Sequence, residues 1–181
     1  MSLDPTLTVN NFFKQSENIP VNDKWDILWK NACTPWDRGG PSPSLVELLE
    51  DKHFPLVPSE KAGKAKGFVP GCGRGWDVAF LAGLTAPDQK LEKVVGLDIS
   101  TTAMEVARKV HQEATGVEFV QGDFFSKTEK WFLEAPYDVV YDYTVPHPSS
   151  SLSSFSVRCR RICALPGLTA WPKLSPRAQD C

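Results

Sequence analysis

A short apolar stretch that runs into three alternating glycines limits the fold of this 181-residue chain more than any other feature. The stretch reads Gly67-Phe-Val-Pro-Gly-Cys-Gly-Arg-Gly75, and a later apolar stretch, Val94-Val-Gly-Leu-Asp98, ends on an acid. In parallel α/β sheets, a glycine turn after one strand and an acid after the next hold nucleotide-like ligands at the carboxyl edge. The pattern therefore predicts a strand, a tight turn and a helix that bind an adenosine-containing molecule.

The rest of the chain alternates strand and helix patterns around this turn. The predicted strands are 67–70, 94–98, 117–121 and 137–142, and the predicted helices are 23–32, a helix that begins at Ser42-Pro43, 76–84, and one capped by Ser100. Such alternation implies parallel strands with helical crossovers. We therefore expect an α/β fold: an incomplete Rossmann-like sheet of about four parallel strands, with an N-terminal helical lid and an irregular C-terminal tail.

Composition excludes several classes of partner. The chain is 41% hydrophobic and 23% charged, as in ordinary soluble proteins, and its net charge of −2 gives no general attraction to nucleic acid or anionic membranes. No apolar run approaches the roughly 18 residues that a membrane span needs. Five cysteines without regular spacing do not form a secreted disulfide framework. We expect a cytoplasmic monomer that binds a small molecule, with no nucleic acid, membrane or metal.

The glycine spacing separates two classes of cofactor. In Gly71-x-Gly73-x-Gly75 the third glycine comes one residue too early for the dinucleotide fingerprint, and Trp76 takes the expected place. NAD is therefore disfavoured, whereas S-adenosylmethionine fits, with Asp98 accepting hydrogen bonds from the ribose hydroxyls. Two plainer interpretations stay open: the glycines only relieve strain in a turn, and Asp98 only caps a helix.

A second acid and a ring follow the third predicted strand. Asp123 is placed to accept from an adenine amino group, and Phe124 to pack against the base. The alternative is an ordinary Gly-Asp turn. With glycines and Asp98 at the two preceding strand ends, the ligand role is favoured.

Several motifs occur in an order that is typical of one family. They are Trp25-Asp-Ile-Leu-Trp29, Thr34-Pro-Trp36-Asp37, Val69-Pro-Gly-Cys-Gly73, Val95-Gly-Leu-Asp-Ile-Ser100, Gly122-Asp123 and Tyr141-Asp-Tyr143. Residues 20–144 thus resemble the class I S-adenosylmethionine-dependent methyltransferases of the thiopurine/thiol methyltransferase family, most closely the plant and fungal branch that methylates small thiols and halide ions.

The resemblance implies S-adenosyl-L-methionine as the cofactor and a small thiol or halide as the methyl acceptor. It assigns these residues to the cofactor site: Trp25, Trp29, Trp36, Gly71, Asp98, Asp123, Phe124 and Tyr143. Indole faces also attract a sulfonium cation, by about 0.5 to 2 kcal/mol. Taken alone, two tryptophans at i and i+4 are more often part of a core.

The implied chemistry is in-line attack of a thiolate or another soft anion on the methyl carbon. A dry site that aligns the two reactants helps this reaction, which needs no elaborate acid-base apparatus. Asp37, Asp142 and Tyr143 are the candidates if a base assists. We expect Cys72 to be a packed thiol, and no catalytic residue is assigned.

The character of the sequence changes after Thr144. Residues 1–19 are expected to be an N-terminal extension, 20–144 a partial methyltransferase domain, and 145–181 a disordered or aberrant tail that stands where the family continues its sheet. Prolines spaced along this tail exclude long helices and central strands. Two alternatives follow: a catalytically inactive truncated fragment, or a methyltransferase that acts on a secondary-metabolite intermediate.

Overall fold

The computed structural model describes residues 8–50, 56–57, 61, 63–126 and 136–142. The helices are α1 Val9–Gln15, α2 Val21–Lys30, α3 Pro43–Glu50, α4 Trp76–Ala82 and α5 Thr101–Val110, and the strands are β1 Ala65–Pro70, β2 Leu91–Asp98, β3 Val117–Gln121 and β4 Val139–Val140. Tyr143, residues 1–7 and the predicted tail at 145–181 lie outside the described residues.

The described strands form one parallel sheet in the order β3-β2-β1-β4. Val69 of β1 pairs with Gly96 of β2, and Asp98 at the end of β2 pairs with Gln121 of β3. The carboxyl ends of these three strands therefore meet at one edge. The prediction of an α/β sheet with about four parallel strands is confirmed.

Successive strand residues point to opposite faces of the sheet. One face is packed by α4 and α5, whose Val78, Leu81 and Met104 belong to the same buried cluster as Val94 and Phe119. The residues that alternate with these form a second cluster on the other face: Phe68, Val95, Leu97, Tyr137 and Val140. Both faces are apolar, as expected for a parallel sheet.

Helix boundaries differ from the predictions at several points. The helix predicted over 23–32 is α2, which begins at Val21 because Pro20 occupies its N-cap position, and which ends at Lys30. The chain turns before Pro35, at Ala32, which adopts a left-handed φ of 52°. Helix α1, within the predicted extension, was missed because it has few apolar positions, of which Phe12 is buried.

Helix α2 is attached to the amino end of α5 by one carboxylate. Asp26 accepts hydrogen bonds from Ser100 Oγ at 2.8 Å and from the Thr102 N–H at 2.9 Å, and it forms a 2.7 Å ion pair with Lys30. Burial opposes the charge, but these donors outweigh it and hold the pKa of Asp26 well below its usual range. Ser100 itself caps α5 by accepting from the Ala103 N–H, as predicted.

The fourth predicted strand is shorter than its pattern. Only Val139–Val140 is assigned to β4, which lies at the edge of the described sheet beside β1. Backbone hydrogen bonds from Asp138 to Lys66 and from Tyr141 to Phe68 continue the pairing on either side. Because the strand contacts a described neighbour on one side only, its regular part stays short.

Candidate functional site

The turn after β1, here called the glycine loop (residues 71–75), needs glycine for both backbone and space. Gly71, Gly73 and Gly75 have φ angles of 61°, 52° and 83°, in the left-handed region that L side chains avoid. A Cβ on Gly75 would lie 2.5 Å from Phe119 Cε1, closer than atoms can approach. Relief of strain is thus one role of these glycines, as the plainer interpretation holds.

Asp98 fastens the glycine loop to the end of β2. Its Oδ2 accepts from the Gly73 N–H at 2.9 Å and its Oδ1 from the Ser100 N–H at 2.9 Å. Burial raises the pKa of Asp98 despite these two donors and a smaller contribution from the Ile99 N–H. The two oxygens of a carboxylate offer about four acceptor sites, so Asp98 keeps capacity for a ligand. Helix capping and ligand binding are compatible here.

Tryptophans from α2 and from the segment after it lie against the glycine loop. The Trp36 ring is 5.5 Å from that of Trp25 and 6.3 Å from that of Trp29. A Cβ on Gly73 would lie 3.2 Å from Trp29 Cζ2, so this indole sits directly on the loop. Trp29 is 7% exposed and belongs to the core, whereas Trp36 is 36% exposed. The core interpretation therefore holds for Trp29, which also faces the site.

Asp37 ties the segment 34–40, called the lid segment below, to the glycine loop. It forms an ion pair with Arg74 Nε, and its Oδ1 accepts from Trp76 Nε1 and from the Gly39 N–H, both at 3.1 Å. Burial works against its charge, but these donors lower the pKa of Asp37 below its usual value. A carboxylate with three donors and a lowered pKa is a poor general base, so Asp37 is better described as a structural clamp.

A cavity of about 250 Å³ lies between the lid segment and the glycine loop. Its lining combines indole rings, glycine backbone and both charges: Trp29, Pro35, Trp36, Asp37, Arg38, Gly40, Ser42, Val69, Pro70, Gly71, Cys72, Gly73, Arg74, Trp76 and Asp77. The structure thus brings three predicted site residues, Trp29, Trp36 and Gly71, to one cavity. Trp25 packs behind Trp36, and Asp98 contacts the loop residue Gly73.

Two polar residues, Ser42 and Asp77, line one corner of this cavity. The Ser42 N–H donates to Asp77 Oδ1 at 2.6 Å. The Ser42 hydroxyl is buried and has no hydrogen-bond partner among the described residues. Ser42 precedes α3 as predicted, but its carbonyl oxygen, and not its hydroxyl, accepts from Leu45 and Val46. Burial raises the pKa of Asp77.

The third strand end lies next to the second. The Gly122 N–H donates to the Asp98 carbonyl oxygen at 3.0 Å, which brings Asp123 beside the end of β2. Asp123 Oδ1 accepts from the Phe125 N–H at 2.8 Å, so a turn of the expected kind is present. Phe124 stacks on Phe68 with centroids 6.0 Å apart, on the face away from α4. Tyr143, the last predicted site residue, lies outside the described residues.

Cys72 is a packed thiol, as predicted. Its sulfur would lie 2.8 Å from a Cβ on Gly96, and it packs against the main core cluster. Burial raises the pKa of the Cys72 thiol well above its usual value. A thiol that is neutral at physiological pH is a weak nucleophile, which agrees with a packing role for the loop cysteine.

Sequence reasoning missed the side chains that hold the site together. Arg74, inside the glycine motif, lies 5.6 Å from the Trp29 ring centroid while it pairs with Asp37. Asp26 and Asp77 also act across long sequence separations. Both Arg74 and the Thr34-Pro-Trp-Asp37 motif are plain in the sequence, but no local pattern shows that they meet in the fold.

Comparison with known proteins points in one direction. The family model described as thiopurine S-methyltransferase matches residues 21–146. "Probable thiol methyltransferase 2" of Arabidopsis thaliana is 36% identical over 123 residues, which are 66% of this chain and 46% of that protein. "Thiocyanate methyltransferase 1" of Brassica oleracea is 35% identical over 67% of this chain and 47% of its own length. The chain spans about half the length of the curated relatives that it matches.

A solved structure also resembles the chain. It is described as "Conversion of a Disulfide Bond into a Thioacetal Group during Echinomycin Biosynthesis", and it is 29% identical with a TM-score of 0.54. The match covers 70% of this chain and 48% of the solved one. No helix within the described part of the chain has the length and apolar content needed to cross a membrane.

Proposed function

This chain belongs to the thiopurine S-methyltransferase family, and from that premise we propose that it binds S-adenosyl-L-methionine and transfers the methyl group to a small sulfur nucleophile. The observation that carries the proposal is the position of Gly73. This residue lies against the Trp29 indole, donates its N–H to Asp98, and lines the cavity. The loop therefore joins an aromatic chamber to a carboxylate at the adjoining strand end.

The described residues fit the cofactor. Gly71 and Gly73 leave the loop backbone without a Cβ, so a ligand can approach it closely. Asp98 keeps acceptor capacity for ribose hydroxyls beside its two backbone donors. Asp123 and Phe124, at the neighbouring strand end, are proposed for the adenine ring. Tyr143 stays a proposed member of the site on the resemblance alone.

When bound, S-adenosylmethionine supplies a sulfonium centre with an electrophilic methyl group. Trp29 and Trp36 offer indole rings to that cation, an attraction of about 0.5 to 2 kcal/mol. Trp25 supports the Trp36 ring from behind. The protein contributes alignment of the nucleophile with the methyl group in a partly aromatic cavity.

The acceptor is proposed to be a soft anion that needs no base from the protein. The relatives are named for thiols and for thiocyanate, which share a nucleophilic sulfur. A thiol with a pKa near about 8.5 is partly ionised at neutral pH. Asp37, already bound by Arg74 and Trp76, is unsuited to take its proton. Halide ions and secondary-metabolite thiols belong to the same acceptor class.

We further propose that residues 20–144 form the cofactor-binding unit and that the protein is a cytoplasmic monomer. The family match over residues 21–146 supports the first point. The free thiols of Cys33 and Cys72 are in keeping with a reducing compartment. Light scattering after gel filtration measures the mass, and a fusion to a fluorescent protein reports the location.

Two measurements test the function. Calorimetric titration with S-adenosylmethionine should show one site, and Trp36→Ala should weaken its binding by about 10-fold, within the range of a cation–π contact with the sulfonium. Mass spectrometry should then detect methylated product from a panel of thiols, thiocyanate and iodide. Binding without turnover would favour the inactive-fragment alternative, and the absence of binding by the wild type would refute the proposal.

A further inference from the structure

Ser42 and Asp77, here called the Ser42–Asp77 corner, form a part of the cavity wall with unused capacity for hydrogen bonds. Ser42 is only 7% exposed, and its Oγ has no hydrogen-bond partner in the described part of the chain. Asp77 accepts one hydrogen bond, from the Ser42 N–H at 2.6 Å. A buried polar group without a partner costs about 1–3 kcal/mol, so a ligand that hydrogen-bonds with the Ser42 hydroxyl would be favoured.

Some of the protein's own donors near the corner already have partners. The Leu45 N–H, which a capping serine hydroxyl can accept, bonds to the Ser42 carbonyl oxygen at 3.0 Å. The Arg74 guanidinium pairs with Asp37 and lies over the Trp29 ring. A ligand in the cavity can therefore supply a donor that these groups do not.

We propose that the Ser42–Asp77 corner binds the α-ammonium group at the amino-acid end of the cofactor. This inference rests on the proposed function. An ammonium group has three N–H donors and no acceptor, which matches a carboxylate that has one donor and a hydroxyl that has none. The indoles of Trp29 and Trp36 line the same cavity and add attraction for a cation.

The position of the corner agrees with the direction in which the cofactor must lie. Asp98, proposed for the ribose, contacts Gly73 from the β2 end, and the cavity begins at the same glycine. An adenosine bound beside Asp98 therefore has its amino-acid chain directed across the glycine loop into the cavity that holds Asp77. Burial raises the pKa of Asp77, and the hydrogen bond from the Ser42 N–H opposes that rise.

The test pairs two protein changes with two ligand changes. S-adenosylhomocysteine, its analogue without the amino group, and its analogue without the carboxyl group are titrated calorimetrically into wild type, Asp77→Asn and Ser42→Ala. Wild type should lose about 10-fold or more in affinity when the amino group is removed, the value of a charge-assisted hydrogen bond. Asp77→Asn should discriminate by no more than about threefold, and Ser42→Ala by an intermediate factor. Removal of the carboxyl group should weaken all three proteins equally.

Folding and charge are controlled separately. Asp77→Asn keeps an oxygen for the Ser42 N–H, and Ser42→Ala removes only a hydroxyl without a partner, so its melting temperature should be unchanged or higher. Glu118→Gln removes a carboxylate from the ion pair with Lys93, away from the cavity, and should discriminate as wild type does.

Two outcomes would overturn the inference. If Asp77→Asn binds S-adenosylhomocysteine but keeps the full wild-type preference for the amino group, the corner has another role while the proposed function stands. If wild type binds none of the three ligands, the proposed function fails and the inference falls with it.

Discussion

Asp37 and Asp98 both hold the glycine loop, but they hold it through different kinds of group. Asp98 accepts two backbone N–H groups at a strand end, and burial raises its pKa. Asp37 accepts the Arg74 guanidinium and the Trp76 indole, and its pKa is lowered. The sheet side of the site, at the end of β2, is thus held by hydrogen bonds to the backbone. The lid side, at residues 34–40, is held by side chains that can be substituted one at a time.

The largest effect is expected from a methyl group on the sheet side. Gly75→Ala forces φ of 83° on an alanine and places its Cβ 2.5 Å from Phe119 Cε1. Left-handed strain and overpacking together predict a loss of about 3–4 kcal/mol in the free energy of unfolding. Gly39→Ala in the lid segment has a similar φ of 74° but open space, and should lose about 1–2 kcal/mol. Urea denaturation measures both, and equal losses would show that the packing against Phe119 is unimportant.

The next effect is on ligand binding at the sheet side. Asp98→Ala removes the acceptor proposed for the ribose and should weaken S-adenosylhomocysteine about 100-fold, since two hydrogen bonds to a charged group are lost. Asp98→Asn keeps one oxygen and should lie between alanine and wild type. Calorimetry measures the series, and circular dichroism checks the fold. An affinity unchanged by Asp98→Ala would leave the carboxylate with its loop-fastening role alone.

A smaller effect is expected from the lid side. Asp37→Asn removes the charge that Arg74 pairs with, while its amide oxygen still serves Gly39 and Trp76. Hydrogen exchange of residues 34–40 should become faster, and S-adenosylhomocysteine should bind about 10-fold more weakly, as for a lost charged hydrogen bond.

Two further variants show whether Asp37 acts through the neighbouring ring. In Trp36→Ala, adding Asp37→Asn should cause no further loss of affinity, because the ring that the clamp positions is gone. Glu118→Gln breaks an ion pair outside the site and should leave exchange in residues 34–40 unchanged. Additive losses in the double variant would mean that Asp37 stabilises the fold in general.

The smallest effect is a difference in pH dependence. The folded pKa of Asp37 lies below its usual value of 3.8, so its stabilisation is complete above pH 3.8 and is lost as the pH falls through the lowered value. Asp98 has a raised pKa, so its contribution is largest below pH 3.8 and declines as the pH rises through the raised value. The difference in urea midpoint between each Asp→Asn variant and wild type should therefore change with pH, between pH 3 and 6, in opposite directions for the two aspartates. Parallel slopes would contradict the distinction between the two carboxylates.

Local sequence was sufficient for the sheet side. Alternating glycines, an apolar run before them and an acid after the next run all specify backbone within a few residues, so β1, β2, α4 and the Ser100 cap were predictable. Helix boundaries were predicted less well where a single backbone angle sets them. At Ala32, a left-handed φ turns the chain after α2 and before Pro35.

The lid side could not be predicted in the same way. The Asp37 to Arg74 pair, and the Ser42 to Asp77 hydrogen bond, join residues about 35 positions apart, with no periodicity to announce them. The motif identified Trp36 and Asp37 as site residues, but it gave Asp37 a possible chemical role where the structure gives it a mechanical one. A contact of this kind depends on packing, which a pattern of residue types does not contain.

The carboxylate of Asp26 has a consequence for the order in which the chain folds. Its partners Ser100 and Thr102 follow it by 74 and 76 residues. During synthesis at about 5–20 residues per second, α2 must wait roughly 4–15 s before its docking site at the start of α5 has been made. Helix α2, with Trp25 and Trp29, therefore lacks this attachment to α5 for that interval.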